Sequence, residues 1–353
     1  MSAMKGTVLV TGANGGLGSA IAKQASSQPN FNGYHSLFAV RDATKASALR
    51  SALSNASHPY DVISLDLTNL DNVRQVAEVI NSRVAAGEIP PIQALILNAG
   101  FQDFGKQIWT EDGFDVTFIA NYLGHWLLTL LLLKSMNKDS GRIVVIGSQS
   151  HDPYDKRNDS TEAFADEKHK TFVKDQAGFE AIAKGTWSSA QEDPSWRGGY
   201  RRYGASKLFL IMMIHELQRR MSLDPVLRNV CILGVDPGTM TTGLQRHASW
   251  MIRVLIFQII YPIIVFLMPN GPVRSTQKSG SRVLHAAFES SPELGESPKG
   301  LYFLDEVLFE TSAESRDVHK RNIVWKETVK YKLKHLYGGH PSRGHLKNAT
   351  RSR

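Results

Sequence analysis

A tyrosine and a lysine four residues apart are the pair in this sequence with the most evident chemistry. Tyr203 and Lys207 stand in the run Tyr203-Gly204-Ala205-Ser206-Lys207, and this spacing places both side chains on one helical face. A free phenol has a pKa of about 10, too high for efficient proton exchange at neutral pH. A nearby ammonium group lowers that pKa, so the pair is suited to acid–base catalysis. The same spacing also occurs by chance on exposed helices, so other motifs must support it.

A glycine-rich run near the N-terminus is a second candidate site. Thr11-Gly12-Ala13-Asn14-Gly15-Gly16-Leu17-Gly18 lies between a predicted strand and a predicted helix. Gly12 permits the tight turn, Gly16 lets the backbone approach a pyrophosphate, and Gly18 lets the helix pack close to the sheet. The helix N-terminus then presents N–H groups to phosphate. Plain structural turns also use glycine, but the strand–turn–helix context favours a dinucleotide site.

Charged residues after the second and third predicted strands indicate the kind of cofactor. The second strand is followed by Arg41 and Asp42. A carboxylate there suits the ribose hydroxyls of NAD, whereas an arginine favours the 2′-phosphate of NADP. We predict NADP(H) with Arg41 as a ligand, and NAD(H) is the alternative because Asp42 is adjacent. Asp66-Leu67 follow the third strand, where an adenine edge would lie, although Asp66 equally suits the start of the next helix.

The scaffold for these residues follows from an alternation of short apolar runs with helical patterns. Strands separated by helices imply a parallel sheet covered on both faces. We therefore predict an α/β fold, a doubly wound parallel-sheet Rossmann fold with a C-terminal lid and a helical extension. The predicted strands are Thr7–Val10, Ser36–Val40, Val62–Leu65, Ala94–Leu97, Arg142–Ile146 and Val230–Val235. The predicted helices are Leu17–Ser27, Lys45–Leu53, Asn69–Val84, Phe114–Lys134 and Tyr203–Met221.

The domain organisation follows from segments that break this alternation. We predict a single Rossmann domain over 1–310, in which 151–199 is a long polar insertion that either forms a functional loop or carries local helix. Residues 243–272 are predicted to be an apolar substrate lid. A C-terminal helical extension should cover 311–337, and the basic tail 338–353 should be disordered.

Further motifs occur in a fixed order along the chain. Asn98-Ala99-Gly100 follows the fourth strand, Asn121 lies in the long apolar helix, and Gly147-Ser148 ends the fifth strand. Pro237-Gly238 follows the last strand, with Thr242 five residues after the proline. Together with the glycine-rich run and the Tyr203–Lys207 pair, this ordered set resembles the short-chain dehydrogenase/reductase family over roughly Lys5 to Phe303.

The resemblance implies a role for each matching residue. Tyr203 supplies or removes a proton, and Lys207 tunes Tyr203 and holds the nicotinamide ribose. Ser148 bonds the carbonyl oxygen, and Asn121 holds a water or a helix kink that connects Lys207 to solvent. Thr242 contacts the carboxamide or phosphates of the cofactor. The cofactor-binding set is Thr11, Gly12, Asn14, Gly16, Leu17, Gly18, Arg41, Asp66, Leu67, Asn98, Ala99, Gly100, Tyr203, Lys207, Pro237, Gly238 and Thr242.

Three neighbouring residues offer alternative assignments. Ser150 lies two residues beyond Ser148, but the strand-end register favours Ser148. Tyr200 lies close to Tyr203, yet no lysine follows it at helical spacing. His151 either faces the pocket or caps the loop, and we favour the cap.

Composition limits the class of protein. The chain has 353 residues with a formal net charge of +8, an excess that suits anionic ligands or acidic membranes. No DNA-reading or zinc-binding motif is apparent, so we expect neither nucleic acid nor metal. A lone cysteine, Cys231, excludes an internal disulfide and reads as a packed core thiol. The N-terminus lacks a secretory signal pattern, so we expect an intracellular protein, cytoplasmic or peripherally attached to an internal membrane.

The apolar run Trp250–Met268 bears on substrate and membrane. It is slightly short for a spanning helix, and Pro262 interrupts it. We weigh a lid packed on the core against a lid that dips into a membrane interface. Family members often pair through the helix with the tyrosine and lysine, which makes a homodimer one expectation; the C-terminal extension could block it.

The predicted function is that of an NADP-dependent oxidoreductase that interconverts a carbonyl and an alcohol on a lipophilic substrate. The run Asn121-Tyr122-Leu123-Gly124-His125 and Arg41 look most like the retinol-dehydrogenase-like and protochlorophyllide-reductase-like branches. Fungal members of this kind often serve sterol, lipid or secondary-metabolite pathways, which indicates a sterol, a retinoid-like compound or a secondary metabolite. The alternatives are a non-catalytic NADP-binding scaffold and a protein whose main role is membrane contact.

Overall fold

The computed structural model describes residues 4–240, 273–290 and 294–337, the last six of these as backbone. Thr242, the predicted lid 243–272 with Trp250–Met268, and the tail 338–353 lie outside the described residues. The strands are β1 (Gly6–Thr11), β2 (Tyr34–Val40), β3 (Tyr60–Ser64), β4 (Ile92–Leu97), β5 (Arg142–Ile146), β6 (Cys231–Asp236), β7 (Thr239–Met240), β8 (Val273–Arg274), β9 (Tyr302–Leu304) and β10 (Val307–Leu308).

Within the described residues, eight strands form one sheet in the order β3-β2-β1-β4-β5-β6-β9-β10, and β7 pairs with β8. All neighbours in the large sheet are parallel except β9 and β10. The chain moves outward from β1 to β3 and then returns to place β4 on the other side of β1. Ligands bind beyond the carboxyl ends of the strands at such a reversal.

Helices cover both faces of this sheet, because its strands are apolar on both sides. Leu9 and Leu37 face one buried cluster, and Val8 and Phe38 face the other. The doubly wound fold is therefore confirmed. The helices are α1 (Gly16–Ser27), α2 (Ser47–Ala52), α3 (Leu70–Ala85), α4 (Val116–Ser135), α5 (Gln176–Ala183), α6 (Trp196–Leu223), α7 (Thr276–Phe288), α8 (Ala313–Arg316) and α9 (Val318–Tyr337).

Helix α6 begins seven residues earlier than the predicted start at Tyr203. The hydroxyl of Ser195 accepts from the Arg197 N–H at 3.2 Å and caps the helix. Gly199 sits in the first turns because a Cβ there would overlap the carbonyl oxygen of Asp103. The segment 151–199 therefore carries local helix, namely α5, short 3₁₀ turns and the start of α6.

Helix α4 is interrupted by a π-helical turn over Ile119–Leu123, and such turns are frequent at functional sites. Among the described helices, α4 is long and apolar enough to cross a membrane. It is mostly buried against the sheet and α6, however, which identifies it as a core helix. Cys231 is 3% exposed at the start of β6, as expected of a packed thiol.

The predicted C-terminal extension folds back onto the catalytic helix. Helices α8 and α9 lie against α6, and α9 also contacts α5. The Tyr122 and Thr328 hydroxyl groups are 2.8 Å apart in a hydrogen bond, and the rings of Trp126 and Trp325 are 5.5 Å apart. The extension is therefore part of the core.

Candidate active site

One cavity of about 1310 Å³ opens beyond the carboxyl ends of the central strands. It brings together the glycine-rich loop after β1 and the ends of β2 to β6 with the Tyr203 turn of α6. The predicted residues that line it are Thr11, Gly12, Asn14, Gly16, Leu17, Gly18, Arg41, Asp66, Leu67, Asn98, Ala99, Gly100, Ser148, Tyr203, Lys207, Pro237 and Gly238.

The glycine-rich loop is shaped to receive a phosphate group. Gly12 has φ of 66°, a left-handed conformation, and a Cβ there would lie 2.7 Å from the Ala99 Cα. The Asn98 side chain donates from Nδ2 to the Thr11 carbonyl oxygen at 2.8 Å and fixes the loop to β4. Helix α1 begins at Gly16 without a side-chain cap, so its first N–H groups suit an anionic ligand.

Two basic residues line the adenosine end of the cavity, Arg41 and Lys45. The Asp42 carboxylate already accepts from the Thr44 N–H at 3.0 Å and from its hydroxyl at 2.6 Å. It also pairs with Lys45 at 3.2 Å. Hydrogen bonds from Thr44 hold the pKa of Asp42 below its usual value. Asp42 is thus engaged within its own turn, while Arg41 is exposed beside the cavity.

Asp66 shapes the turn before α3 and also reaches the cavity, while its contact with an adenine stays a prediction. Its carboxylate accepts from the Thr68 N–H at 2.9 Å and from the Thr68 hydroxyl at 2.7 Å, which shapes the turn into α3. Asn69 then caps α3 by accepting from the Asp71 and Asn72 N–H groups. Asp66 and Leu67 also line the cavity.

Tyr203 and Lys207 face the same end of the cavity. The Lys207 Nζ lies 5.3 Å from the centroid of the Tyr203 ring and donates to the Ile146 carbonyl oxygen at 2.8 Å. Burial lowers the pKa of Lys207 to about 8, although the Asp236 carboxylate acts in the opposite direction. Burial raises the pKa of the Tyr203 phenol above its usual value. This direction is opposite to that expected from the tyrosine–lysine pair alone, because the loss of hydration outweighs the hydrogen bond with Ser148, which lowers the pKa.

Of the two serines after β5, Ser148 lines the cavity and Ser150 does not. The Ser148 Oγ accepts from the Ser150 Oγ at 3.0 Å and from the Ser150 N–H at 3.3 Å. The Ser148 hydroxyl hydrogen is thereby available to a partner in the cavity, and Ser148 also contacts the Tyr203 hydroxyl. Ser150 is fully buried behind it.

His151 caps the loop after β5. Its Nδ1 donates to the Ser148 carbonyl oxygen at 2.7 Å, and its Nε2 accepts from the Ser312 N–H at 3.2 Å. Acceptance at Nε2 requires a neutral ring, and burial lowers the pKa of His151. The cap ties Ser148 to the C-terminal extension.

Asn121 lies in the π-helical turn of α4 and is fully buried. Its Oδ1 accepts from the Phe101 N–H at 2.7 Å, while Nδ2 donates to the Phe101 carbonyl oxygen and to the Ser206 Oγ, both at 2.9 Å. The side chain therefore joins α4 to α6 beside Lys207. A water link from Asn121 to Lys207 stays a prediction.

The sequence analysis missed His125 as a member of the site. Its Nδ1 donates to the Asn121 carbonyl oxygen at 2.9 Å, and its Nε2 lies 3.0 Å from the Thr11 Oγ1. Burial and the Lys207 charge lower its pKa to about 4. A neutral His125 therefore links the glycine-rich loop to the π-helical turn.

An ion pair beside Tyr203 was also missed. Asp236, at the end of β6, accepts from the Arg157 NH1 at 3.0 Å, and the other side of the guanidinium is held by Asp155. Asp236 and Arg157 both line the cavity. No local sequence signal joins residues so far apart. Arg157 comes from the predicted insertion 151–199, so that segment contributes to the site.

The fold and this cavity define a nucleotide-binding oxidoreductase, and known proteins narrow the class. Residues 6–156 match the family model described as short chain dehydrogenase. The chain is 39% identical over 349 residues to the short-chain dehydrogenase iccH of Talaromyces variabilis, covering 93% of this chain and 95% of that one. It is 31% identical over 337 residues to protochlorophyllide reductase of Daucus carota, covering 92% and 78%.

Solved structures share the fold at lower identity. An uncharacterised protein from Mycobacterium Paratuberculosis has a TM-score of 0.61 at 21% identity and covers 94% of both chains. The angucycline C-6 ketoreductase LanV with bound NADP has a TM-score of 0.56 at 18% identity, covering 86% of this chain and 95% of that one. The chain belongs to the short-chain dehydrogenase/reductase family and is an oxidoreductase.

Proposed function

We propose that this protein is an NADPH-dependent enzyme that interconverts a carbonyl and an alcohol on a lipophilic substrate. One observation carries the proposal: a single cavity joins a phosphate-binding loop to Ser148, Tyr203 and Lys207. The scaffold alternative would not need these side chains at the nicotinamide end of the cavity.

The residues present fit NADP(H). The uncapped N-terminus of α1 would hold the pyrophosphate, and Arg41 with Lys45 would hold the 2′-phosphate. Asp42 offers little to a ribose hydroxyl, because its carboxylate already has three partners. Lys207 would contact the nicotinamide ribose. Thr242 stays in the proposed cofactor set as a sequence prediction.

The proposed mechanism assigns the proton to Tyr203. A nicotinamide held at this end of the cavity would supply a hydride to the substrate carbon, or accept one from it. Ser148 donates a hydrogen bond to the substrate oxygen, since its own acceptor positions are filled by Ser150. Tyr203 gives its hydroxyl proton to that oxygen during reduction and takes it back during oxidation. Lys207 stabilises the charge that develops on Tyr203, and Asn121 positions α6 through Ser206.

The names of similar proteins agree with a lipophilic substrate. Relatives include protochlorophyllide reductases, and one solved structure is landomycin C-6 ketoreductase LanV with NADP and rabelomycin. These are large and mostly apolar compounds. We propose a sterol, a retinoid-like compound or a secondary metabolite as the class for this chain.

The test is consumption of NADPH and NADH by the full-length protein across lipophilic ketones and aldehydes. We expect turnover with NADPH, and a loss of about 10²- to 10⁴-fold in Tyr203→Phe because the proton donor is removed. Tyr154→Phe is the matched control, since Tyr154 is 68% exposed in the neighbouring segment. Turnover unaffected in Tyr203→Phe would overturn the catalytic assignment, and a preference for NADH would overturn the role of Arg41. Tight NADPH binding without any turnover would favour the scaffold.

A further inference from the structure

Three aromatic side chains form a ladder along α6 that ends at the catalytic hydroxyl. Trp196, Tyr200 and Tyr203 are spaced by four and three residues, so they share one helical face. The ring centroids of Trp196 and Tyr200 are 6.1 Å apart, and those of Tyr200 and Tyr203 are 6.5 Å apart. All three residues line the cavity. We define Trp196, Tyr200 and Tyr203 as the aromatic ladder.

Tyr200, the central residue of the aromatic ladder, is held in a fixed position by its neighbours. The Tyr200 hydroxyl donates to the Asn158 Oδ1 at 2.8 Å, and the Phe164 ring packs 6.0 Å from the Tyr200 ring. Asn158 is itself buried and donates to the carbonyl oxygens of Gln149 and Asp152. The ring therefore presents a fixed face. A surface fixed before binding saves the entropy of ordering it.

The remaining lining is also aromatic and apolar away from the catalytic group. Phe101 and Phe104, from the segment after β4, line the same cavity together with Ile108 and Val116. This segment is anchored to α6, because Asp103 receives a bidentate hydrogen bond from Arg202. Asp103 and Arg202 are both buried, which fixes the distance between the segment and the ladder.

We propose that the aromatic ladder is a substrate subsite for flat, conjugated or aromatic carbonyl compounds. The inference rests on the proposed function and narrows its substrate class. Aromatic faces bind other π-systems in offset or edge-to-face contact, whereas a saturated ring system carries out-of-plane hydrogens and methyl groups that prevent such contact. The ladder extends about 10 Å along the helix axis, about the length of a fused tricyclic compound. A ring stacked on it would bring its carbonyl group to Tyr203 and Ser148.

The test compares a flat ketone with a saturated ketone of the same skeleton, 1-tetralone and 1-decalone, with NADPH and the full-length enzyme. The readout is the ratio of their kcat/KM values, so intrinsic reactivity cancels between variants. We expect Trp196→Leu and Tyr200→Leu each to lower this ratio about five- to tenfold, because one aromatic contact is lost. The value of kcat/KM for 1-tetralone should fall, and the value for 1-decalone should stay nearly the same.

Two ring-retaining variants and a remote control separate stacking from folding. In Trp196→Phe and Tyr200→Phe an aromatic ring remains, so the ratio of the two kcat/KM values should stay close to that of the wild-type enzyme. Trp109→Leu removes a tryptophan that is 48% exposed and outside the cavity, and should leave the ratio unchanged. If the leucine variants leave the ratio of kcat/KM values unchanged, either because both values fall equally or because neither falls, the proposed subsite is wrong.

A binding measurement distinguishes this inference from the function on which it rests. The two ketones are titrated calorimetrically into Tyr203→Phe saturated with NADP⁺, where no turnover occurs. Tighter binding of tetralone that is lost in the added Tyr200→Leu change supports the subsite, even if the wild-type enzyme reduces neither ketone. Reduction of decalone with no preference in binding would leave the function standing and overturn the subsite.

Discussion

At the scale of single residues, the carboxylate of Asp236 is the charge that acts on both Tyr203 and Lys207, the proposed catalytic pair. It raises the pKa of both Tyr203 and Lys207, and Arg157 partly neutralises it across a 3.0 Å contact. The guanidinium is shared with Asp155 at 2.6 Å. The field at Tyr203 therefore depends on how well one arginine screens Asp236.

This arrangement predicts opposite pH shifts for two substitutions. In alcohol oxidation Tyr203 must lose its proton, so kcat/KM falls at low pH with the apparent pKa of the coupled Tyr203–Lys207 pair. Arg157→Met leaves Asp236 unscreened, which raises that pKa and moves the acidic limb upward by roughly half to one pH unit. Asp236→Asn removes the negative charge and moves the limb downward. The measurement is kcat/KM against pH, with NADP⁺ saturating.

A control variant tests whether the loss of any nearby positive charge would shift the pH profile in the same way as Arg157→Met. Lys156→Met is the control, because Lys156 is an exposed neighbour of Arg157 and carries the same charge. Shifts of the same sign in Arg157→Met and Asp236→Asn would contradict the electrostatic role of Asp236.

Several polar and ionisable groups face Tyr203 and Lys207 from the surrounding elements. They are Tyr200 on α6, Asp236 on β6, Tyr302 on β9, His125 on α4 and Ser148 after β5.

At this scale the sequence predicted the residues that sit in local motifs. Ser148, Tyr203 and Lys207 each stand next to a strand end or within a helical spacing, so their common position followed from the fold. Arg157 and Asp236 are 79 positions apart, and only the packing of the segment 151–199 joins them. Burial also reversed the expected pKa direction of Tyr203, and burial of a phenol beside a lysine is not visible in spacing.

At the scale of elements, the predicted strands were confirmed to within a few residues because each contains a short apolar run. The predicted start of α6 at Tyr203 was wrong, because Gly198 and Gly199 have low helix propensity and argued against a helix there. Close approach of Asp103 and Asp193 to these glycines decides their conformation instead. The signal that would have found the start is Pro194-Ser195, a proline followed by a capping serine.

The contact between α4 and α9 provides a prediction about stability. Thr328→Val removes the hydrogen-bond partner of the buried Tyr122 hydroxyl. An unsatisfied buried hydroxyl costs about 1–3 kcal/mol, so the free energy of unfolding should fall by that amount in urea. The added Tyr122→Phe change should recover part of it, because no polar group is then left unpaired. A double variant as unstable as Thr328→Val would show that the hydroxyl contact is not the cause.

At the scale of the whole molecule, the extension occupies a face of α6 that another subunit would need. Helix α9 lies along α6, with the Arg220 guanidinium 4.5 Å from the centre of the Trp325 ring and Val324 buried. A dimer that pairs through α6 would have to displace these contacts. We therefore predict a monomer rather than the homodimer that the family resemblance suggests.

We accordingly expect light scattering after size exclusion to give the mass of one chain, 39.2 kDa, at micromolar concentration. Dilution should not change that mass, since no subunit interface is being broken. A stable species of twice this mass would contradict the expectation. Because Trp325→Ala weakens the packing of α9 on α6, a dimer that pairs through α6 should become more stable in that variant, whereas a dimer of unchanged stability would use another surface.

The same closure by the extension has a consequence for the order of folding. Tyr122 meets a residue 206 positions later in the chain, and His151 meets one 161 positions later. Strand β9 pairs with β6 across a shorter separation, with Gly234 beside Tyr302. Contacts of such long sequence separation form slowly, because the loop between them must first be closed. A ribosome-bound chain from which β9 and α9 have not yet emerged has β6 as an open edge and the apolar face of α4 uncovered, so the sheet and the core close only once these two elements are available.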